Sequence, residues 1–482
     1  MNAQQLARLL GSDWSLQRRT ASEPGNLARR LALALQHLIA GELIPAGTRL
    51  PAERTLAEAV HVSRPTVTAA LDELRDLGLI ESRHGSGTWI AERTPPSRPV
   101  PTMSELVLTD QGINLAAATA PDASHLGPLR LGLGDLLSVS PAHGYDPVGL
   151  PALRERIAAR LTRRALPTSA EDIVVTNGAH HALALTLGAL ARPGDRVIVE
   201  ELTYGGFLDL AEAARVLPVP IAGDGEGPCP HALDRAIRQS QPRLVYLVAP
   251  IHAPTGTATT GARLREIAGV LDEHEALVIA DETLAELHPG KRAPSVATLC
   301  SAACVVTVES LSKSVWGGLR IGWIRAPRAL RELILRHRSR VDLGTAVPAQ
   351  LVALQIEARL DALVSARNRE LRAKAAHLQR RLTARMPAWS VPLPVGGLCL
   401  WARLPVDDAS PYVDAAARHG VVVMAGAVAR ADRSADPHIR VCFDRSEQIL
   451  DEAAKRMATA WFESCGEPRS TGRSGTCGAP HG

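Results

Sequence analysis

The segment Ser310–Trp323, SLSKSVWGGLRIGW, holds one of only four lysines in a chain that carries fifty arginines (54 Lys and Arg together, less Lys291, Lys313, Lys374 and Lys455). Where a fixed positive charge is wanted, this protein normally uses arginine. Lys313 therefore asks for a reason of its own. An amine can lose its proton and attack a carbonyl, which a guanidinium does not do. Lys313 sits among small hydroxyl residues and is followed by Gly317, Gly318 and Arg320.

Around this segment the chain alternates apolar runs with helical stretches. The runs are DIVVT (172–176), DRVIVE (195–200), RLVYLVAP (243–250), ALVIAD (276–281), CVVTVES (304–310) and LRIGWIRA (319–326). Continuous apolar strands separated by helices predict a parallel sheet covered on both faces, an α/β body. In such sheets ligands bind beyond the carboxyl ends of the strands. The first run is followed by Asn177, Gly178, Ala179 and His180 opening a helix, whose free N–H groups suit a phosphate. The second leads to Tyr204, the third to the turn IHAPTG, the fourth ends in Asp281, and the fifth ends in Ser310 just before Lys313. Anion donors, a flat aromatic, a carboxylate and a lone lysine are thus expected at one sheet edge. Singly, Tyr204 reads as packing and Asp281 as a cap.

This ordered set resembles the fold-type I pyridoxal-phosphate (PLP) enzymes, the aspartate aminotransferase-like group, over about residues 110–465. The resemblance implies that Lys313 forms the Schiff base with the cofactor aldehyde and that Asp281 pairs with the pyridine N–H. It implies that Ser310, Arg320 and the Gly178–His180 backbone hold the phosphate and that Tyr204 stacks on the ring. The stretch HGYDPVGLPALR resembles the loop that brings a tyrosine, here Tyr145, from a neighbouring subunit. Arg440 in PHIRVCF matches the arginine that grips a substrate carboxylate. The sequence departs from that group at Ala253, where asparagine is usual before PTG, and at Thr283 and Leu284, where a tyrosine is usual. Two partners of the cofactor's ring hydroxyl are therefore missing unless Thr283 or His252 substitutes, which implies weak or absent turnover.

Ahead of the body stands ERTPPSRPVPT (92–102), four prolines in eleven residues, read as a semi-rigid linker. Ahead of that, residues 26–44 place Leu27, Leu31, Leu35 and Leu38 at helical spacing. A second short helix is expected from about Ala52. Ser63 is placed to cap a third, with Pro65 in its first turn and Val67, Leu71, Leu74 and Leu77 inward. Arg64, Thr66 and Thr68 are then expected on its outer face. IESRHGSGTWIAE reads as a hairpin with a glycine-rich tip carrying Arg83 and His84. In outline this is a winged helix-turn-helix, which would seat its third helix in a DNA groove. A three-helix dimerisation module is the plainer reading, since residues 1–100 carry 12 basic and 10 acidic groups.

LPAERTLAEAVHVSRPTVTAALDELRDLGLIESRHGSGTWI is similar to the DNA-binding head of GntR-type regulators along its whole length. That resemblance implies contacts from Arg54, Arg64, Thr66, Thr68, His84 and Gly85 to a double-stranded DNA operator. A GntR-type head fused to an aminotransferase-like body resembles the MocR-type regulators. The implied protein is a homodimeric regulator that binds PLP through Lys313 and responds to PLP, an amino acid or an amine. The alternative is an active aminotransferase with an auxiliary DNA-binding head.

The expected plan is a head over 1–91, a linker over 92–110, a body over 111–463 and a disordered tail over 464–482. The body divides into a large subdomain (about 140–330) and a small C-terminal α+β subdomain (about 360–463). A net charge of +4 does not by itself imply nucleic acid. The seven cysteines are scattered and form no CxxC pair or metal-ligand spacing, so reduced thiols in a cytosol and no metal are expected. No signal-peptide core and no apolar run near ~18 residues is present, so a soluble cytoplasmic protein is expected.

Overall fold

The computed structural model describes residues 2–10, 24–40, 43–45, 47–76, 79–83, 87–90, 100–109, 112–120, 122–139, 143–288, 290, 293–300 and 305–465. Two compact units divide the chain, Met1–Pro95 and Pro96–Gly482. The tip residues His84 and Gly85, Leu77, the prolines over 91–99 and the tail from 466 lie outside the described residues.

In the first unit, α1 (Pro24–Ala40), α2 (Glu53–Val60) and α3 (Arg64–Asp76) are followed by β1 (Ile80–Arg83) and β2 (Gly87–Ile90). Leu31, Leu35 and Leu38 of α1 share one apolar core with Leu56 and Val60 of α2 and Val67, Leu71 and Leu74 of α3. Helix α2 stops at His61, whose left-handed backbone (φ 55°) turns its N–H back onto Ala57 and Glu58 carbonyls. The Ser63 hydroxyl then accepts the Thr66 N–H at 3.3 Å and starts α3. Strands β1 and β2 pair antiparallel from Ile80↔Ile90 to Arg83↔Gly87. The helix-turn-helix and wing are as the sequence predicts, with one correction. Thr66 is buried, and its hydroxyl is hydrogen-bonded to Ser63 at 2.7 Å instead of facing outward.

The second unit opens with α4 (Met103–Val107) and β3 (Ile113–Asn114). Helix α4 corrects the expected linker over 92–110. Thr102 and Glu105 close a reciprocal capping box, and the Met103 N–H donates to Asp209 Oδ2 at 2.9 Å. Residues 100–109 are thus fastened to the body.

The central sheet comprises β4 (Ile173–Thr176, followed by α5, Ala179–Leu190), β5 (Arg196–Glu200), β6 (Leu217–Ile221), β7 (Leu244–Val248), β8 (Val278–Asp281), β9 (Val305–Ser310) and β10 (Gly322–Arg325). Its order is β4-β10-β9-β8-β7-β5-β6. Strands β4, β7, β8 and β9 are buried at every position, which is why their sequences are mostly apolar and show no alternation with exposed polar residues. β10 alone runs antiparallel to both neighbours. The eleven residues 311–321 between β9 and β10 form a helical turn (Leu311–Ser314) and a 3₁₀ turn (Gly317–Leu319). That is too short for a crossover of a dozen or more residues, so the chain returns alongside itself.

Beyond the sheet, α6 (Leu360–Arg385), β11 (Cys399–Arg403), β12 (Val421–Val422), β13 (Met424–Ala425), β14 (His438–Cys442) and α7 (Glu447–Cys465) make a smaller α+β layer with its own core. Its sheet is ordered β11-β14-β13, and β12 pairs in parallel with β3. The segment before the large sheet therefore belongs structurally to the small layer.

Candidate functional site

Strand register explains how distant residues meet. Thr176, Gly322 and Ser310 stand side by side across β4, β10 and β9, and Asp281 lies beside Val248 and Val308. Because β10 is reversed, its beginning shares an edge with the carboxyl ends of its neighbours. Arg320, just before β10, accordingly meets Gly178, just after β4: its Nη2 donates to the Asn177 carbonyl at 2.6 Å.

Two glycines permit this closeness. Gly178 has φ 85°, a left-handed backbone that suits glycine. A Cβ on Gly322 would come within 2.7 Å of the Gly178 carbonyl carbon and 2.9 Å of Ala179 N. The first N–H groups of α5 have no partner within the helix, and Gly178 offers no capping side chain. His181 Nδ1 accepts the Asn177 N–H at 3.0 Å, and its ring steadies the loop.

A cavity of about 410 Å³ opens over this edge, lined by Ala179, His180, Tyr204, Asp281, Ser310, Lys313, Arg320 and Arg440 among others. Lys313 is half-buried, and its Nζ donates to the Ala118 carbonyl at 2.8 Å. Burial, then the Arg440 charge, holds its pKa below the usual 10.5. The Cys442 and Cys399 sulfurs and Asp281 pull the other way. Asp281 is buried, which raises its pKa, and is held by the Thr283 N–H (3.0 Å) and the Tyr246 hydroxyl (2.9 Å). Ser310 Oγ accepts the Ser312 N–H at 3.0 Å and donates within the loop, to the Ile321 carbonyl at 3.0 Å. Burial pushes the Tyr204 phenol up to about 12, and its ring meets His180 edge-on at 6.3 Å.

Arg440 comes from β14 and is buried; its Nη2 donates to the Ala116 carbonyl at 2.7 Å, and its Nε has no partner among the described residues. A buried guanidinium with an unused N–H is suited to a carboxylate. Tyr145 is not brought to the cavity within this chain. It is 57% exposed and stacks on His143 at 5.9 Å.

In the head, Arg54 and Arg64 are exposed, paired with Glu58 (3.3 Å) and Glu53 (3.5 Å). Thr68 is half-buried and donates to Glu53 Oε2 at 2.9 Å. Glu53 thus ties α2 to the start of α3.

The family model for aminotransferase class I and II matches residues 112–457, and that for bacterial regulatory proteins of the gntR family matches residues 27–90. The chain belongs to the class I and II aminotransferase family. It carries a GntR-type regulatory head on that aminotransferase-like body. It is 27% identical to the uncharacterized HTH-type transcriptional regulator YjiR of Escherichia coli K12, over 90% of this chain and 99% of that protein. It is 30% identical to the probable rhizopine catabolism regulatory protein MocR of Rhizobium meliloti, over 61% of this chain and 64% of that one. Among solved structures, the Thermus thermophilus α-aminoadipate aminotransferase LysN superposes with a TM-score of 0.68 at 22% identity, covering 76% of this chain and 95% of that one. A Pyrococcus horikoshii kynurenine aminotransferase does so with 0.66 at 25%, covering 75% and 93%.

Membership in the aminotransferase family implies PLP, and the cavity fits it. The start of α5, whose first N–H groups lack helical partners, the Gly178 cradle, the Lys313 amine, whose pKa burial lowers, and the Arg440 guanidinium are suited to an anion, an aldehyde and a carboxylate. At the ring hydroxyl the fit is thinner. Ala253 and Leu284 line the cavity without a polar side chain. His252 is committed, Nε2 to the Leu202 carbonyl (2.9 Å) and Nδ1 to Thr255 (2.8 Å), so it does not substitute. The Thr283 hydroxyl, buried beside Asp281 without a well-formed hydrogen bond, is the one left to do so.

Sequence reasoning missed three contributors. Tyr246 is the polar-tipped residue in the apolar run LVYLV, and that oddity could have flagged it. Ser312 stands one residue before the lysine and also lines the cavity. Met103 and Val107 of α4, with Leu108 just past its end, wall the cavity, and the T-x-x-E pattern at 102–105 announces that helix.

Proposed function

We propose that this GntR-type regulator binds operator DNA as a homodimer in the cytoplasm and changes its DNA-binding state when PLP or an amino-group effector occupies the body. The observation that carries the reading is the convergence of Lys313, Asp281 and the α5 start on one sheet edge, in a cavity that Arg440 also enters. When bound, PLP supplies an aldehyde for an amine and an electron-withdrawing ring.

The chain's own residues do the rest. Lys313 offers Nζ as the attachment point, and burial, which lowers its pKa, favours the neutral amine. Asp281, kept in place by Tyr246 and the Thr283 N–H, holds a proton on the ring nitrogen. The α5 N–H groups, Ser310 and Arg320 take the phosphate, and Tyr204 covers the ring. Arg440 takes an effector carboxylate. Tyr145, exposed in one chain, reaches the site of the second subunit. In the head, Arg54, Arg64 and Thr68 contact the operator, and the likeness to GntR-type heads assigns the same task to His84 and Gly85.

Ala253 and Leu284 leave the ring hydroxyl with Thr283 alone, so turnover as an aminotransferase is weak. A regulator needs only that its ligand bind two head arrangements unequally. The test is a gel shift of full-length protein on its own upstream region, with and without PLP. A shift whose midpoint moves with PLP is expected. Identical midpoints, or no protein–DNA complex in either condition, would overturn the reading.

A further inference from the structure

Two of the scattered cysteines become neighbours in the fold. Cys399 opens β11 and Cys442 closes β14, 43 residues later, and the two are direct cross-strand partners with Sγ atoms 3.1 Å apart. The next pair along, Leu398 and Phe443, is a hydrogen-bonded one, since the Phe443 N–H donates to the Leu398 carbonyl at 3.0 Å. Antiparallel ladders alternate, so the cysteines occupy the non-hydrogen-bonded site, where Cα atoms approach to about 4.5 Å. In keeping with this, the Cys442 N–H turns away and donates to the Leu115 carbonyl at 2.8 Å. A separation of ~4.5 Å lies within the Cα range that a disulfide spans, about 4.4–6.8 Å.

The pair is also reachable and activated. Cys399 is 8% exposed and lines the cavity that holds Lys313 and Arg440, while Cys442 lies behind it with no exposed surface. Burial disfavours a Cys442 thiolate, but the hydrogen bond with Cys399 and the Arg440, Arg445 and Lys313 charges outweigh it and bring the thiol to about 7. The same hydrogen bond, with burial, holds Cys399 well above its usual value. The two thiols share a hydrogen bond at 3.1 Å beside the Arg440 charge, and cationic neighbours are what favour a reactive thiolate.

We propose that Cys399 and Cys442 form a reversible dithiol, oxidised by a hydroperoxide entering through the cavity, and that its redox state is felt at Lys313. The Cys399 sulfur, the one that reaches the cavity, attacks one peroxide oxygen as its proton passes across the hydrogen bond toward Cys442; the O–O bond breaks and the departing hydroxide takes that proton as water, leaving a sulfenic acid. The Cys442 sulfur then displaces hydroxide from that sulfur, and the second proton leaves with it as a second water. Two thiols and one peroxide give one disulfide and two waters; the sulfurs are oxidised and the peroxide reduced. A disulfide bears no charge. Lys313 then loses the two sulfurs that help it keep its proton, and its amine becomes neutral at lower pH.

The proposal deepens the reading of Lys313 as the anchoring amine, yet neither readout below uses the cofactor, so the two stand or fall separately. Full-length protein is treated with hydrogen peroxide, alkylated and digested without reductant, and linked peptides are identified by mass spectrometry. In parallel, acetylation of Lys313 by acetic anhydride is followed across pH for reduced and oxidised protein. A Cys399–Cys442 cross-link reversed by dithiothreitol is expected, with a lower acetylation midpoint after oxidation and no shift in Cys399→Ser. Failure of the two cysteines to link in folded protein would overturn the proposal, as would a link that leaves the Lys313 midpoint unmoved.

Discussion

Tyr246 on β7 donates its hydroxyl proton to Asp281 Oδ2 on β8 at 2.9 Å, while its ring stacks on Phe207 at 3.6 Å between centroids. The phenol is thereby split between two tasks. Its ring packs the sheet, and its oxygen holds the acid at the cavity floor. Burial alone would favour a protonated, weakly paired Asp281, and the hydrogen bonds from Thr283 and Tyr246 oppose it.

Tyr246→Phe keeps the stacked ring and removes one hydrogen bond to a charged group, worth about 1.5–3 kcal/mol. PLP affinity, followed by absorbance titration, should fall by roughly tenfold or more, with the melting temperature lowered by a few degrees. Equal affinity in the two proteins would mean that Asp281 does not depend on its neighbour.

Glu200, at the end of β5, is buried, and burial pushes its carboxyl up to about 8 despite the Val248 N–H it accepts at 3.0 Å. Its folded pKa is above the unfolded one, so its contribution to stability is complete below pH 4.5 and is lost as pH rises toward about 8. Glu200→Gln, which keeps an acceptor for Val248, should match wild type near pH 4.5 and melt higher at pH 9 by on the order of several degrees. Melting curves at both pH values decide it; a variant less stable at pH 9 would show that the charged form is tolerated.

Arg440→Gln leaves the neighbouring packing nearly intact and removes the buried charge whose Nε is unused. Calorimetric titration with carboxylate-bearing amino acids should show affinity reduced by about 30-fold or more, as expected for losing one side of a buried ion pair. Arg440→Lys should not restore it, because a point charge does not reproduce the guanidinium fork. Full binding by Arg440→Gln would assign the arginine a purely structural role, and full binding by Arg440→Lys would show that charge suffices without the fork.

The head separates reading from holding. Arg64 is exposed and, among the described residues, paired with Glu53, whereas Thr66 is buried against the Ser63 cap. Arg64→Ala should weaken DNA binding and flatten its salt dependence while leaving the melting temperature in place. Ser63→Ala should cost about 1 kcal/mol of stability. Gel shifts across a salt series, set beside thermal unfolding, distinguish the two; an unchanged salt slope in Arg64→Ala would remove that residue from the interface.

Much of this site is legible in the sequence, because parallel strands advertise their ends. An apolar run that stops at Asp281 or Ser310 places those residues at the ligand edge without further information. What was not legible depended on register or on short-range geometry. Thr66 reads as outward by helical spacing, yet it lies in the first turn, where the cap at Ser63 draws it in. Helix α4 was hidden by the prolines before it, although its capping box is plain in the sequence. The reversal of β10 follows from the short 311–321 connection, and the Cys399–Cys442 pairing from a sheet register that spacing in the chain does not encode.

The central claim is that Lys313 is the residue to which PLP becomes joined. Full-length protein incubated with PLP, reduced with borohydride and digested should yield a phosphopyridoxyl group on the Lys313 peptide, absent from Lys313→Ala. The same peptide recovered unmodified, or the group spread over Lys374 and Lys455 instead, would contradict the account.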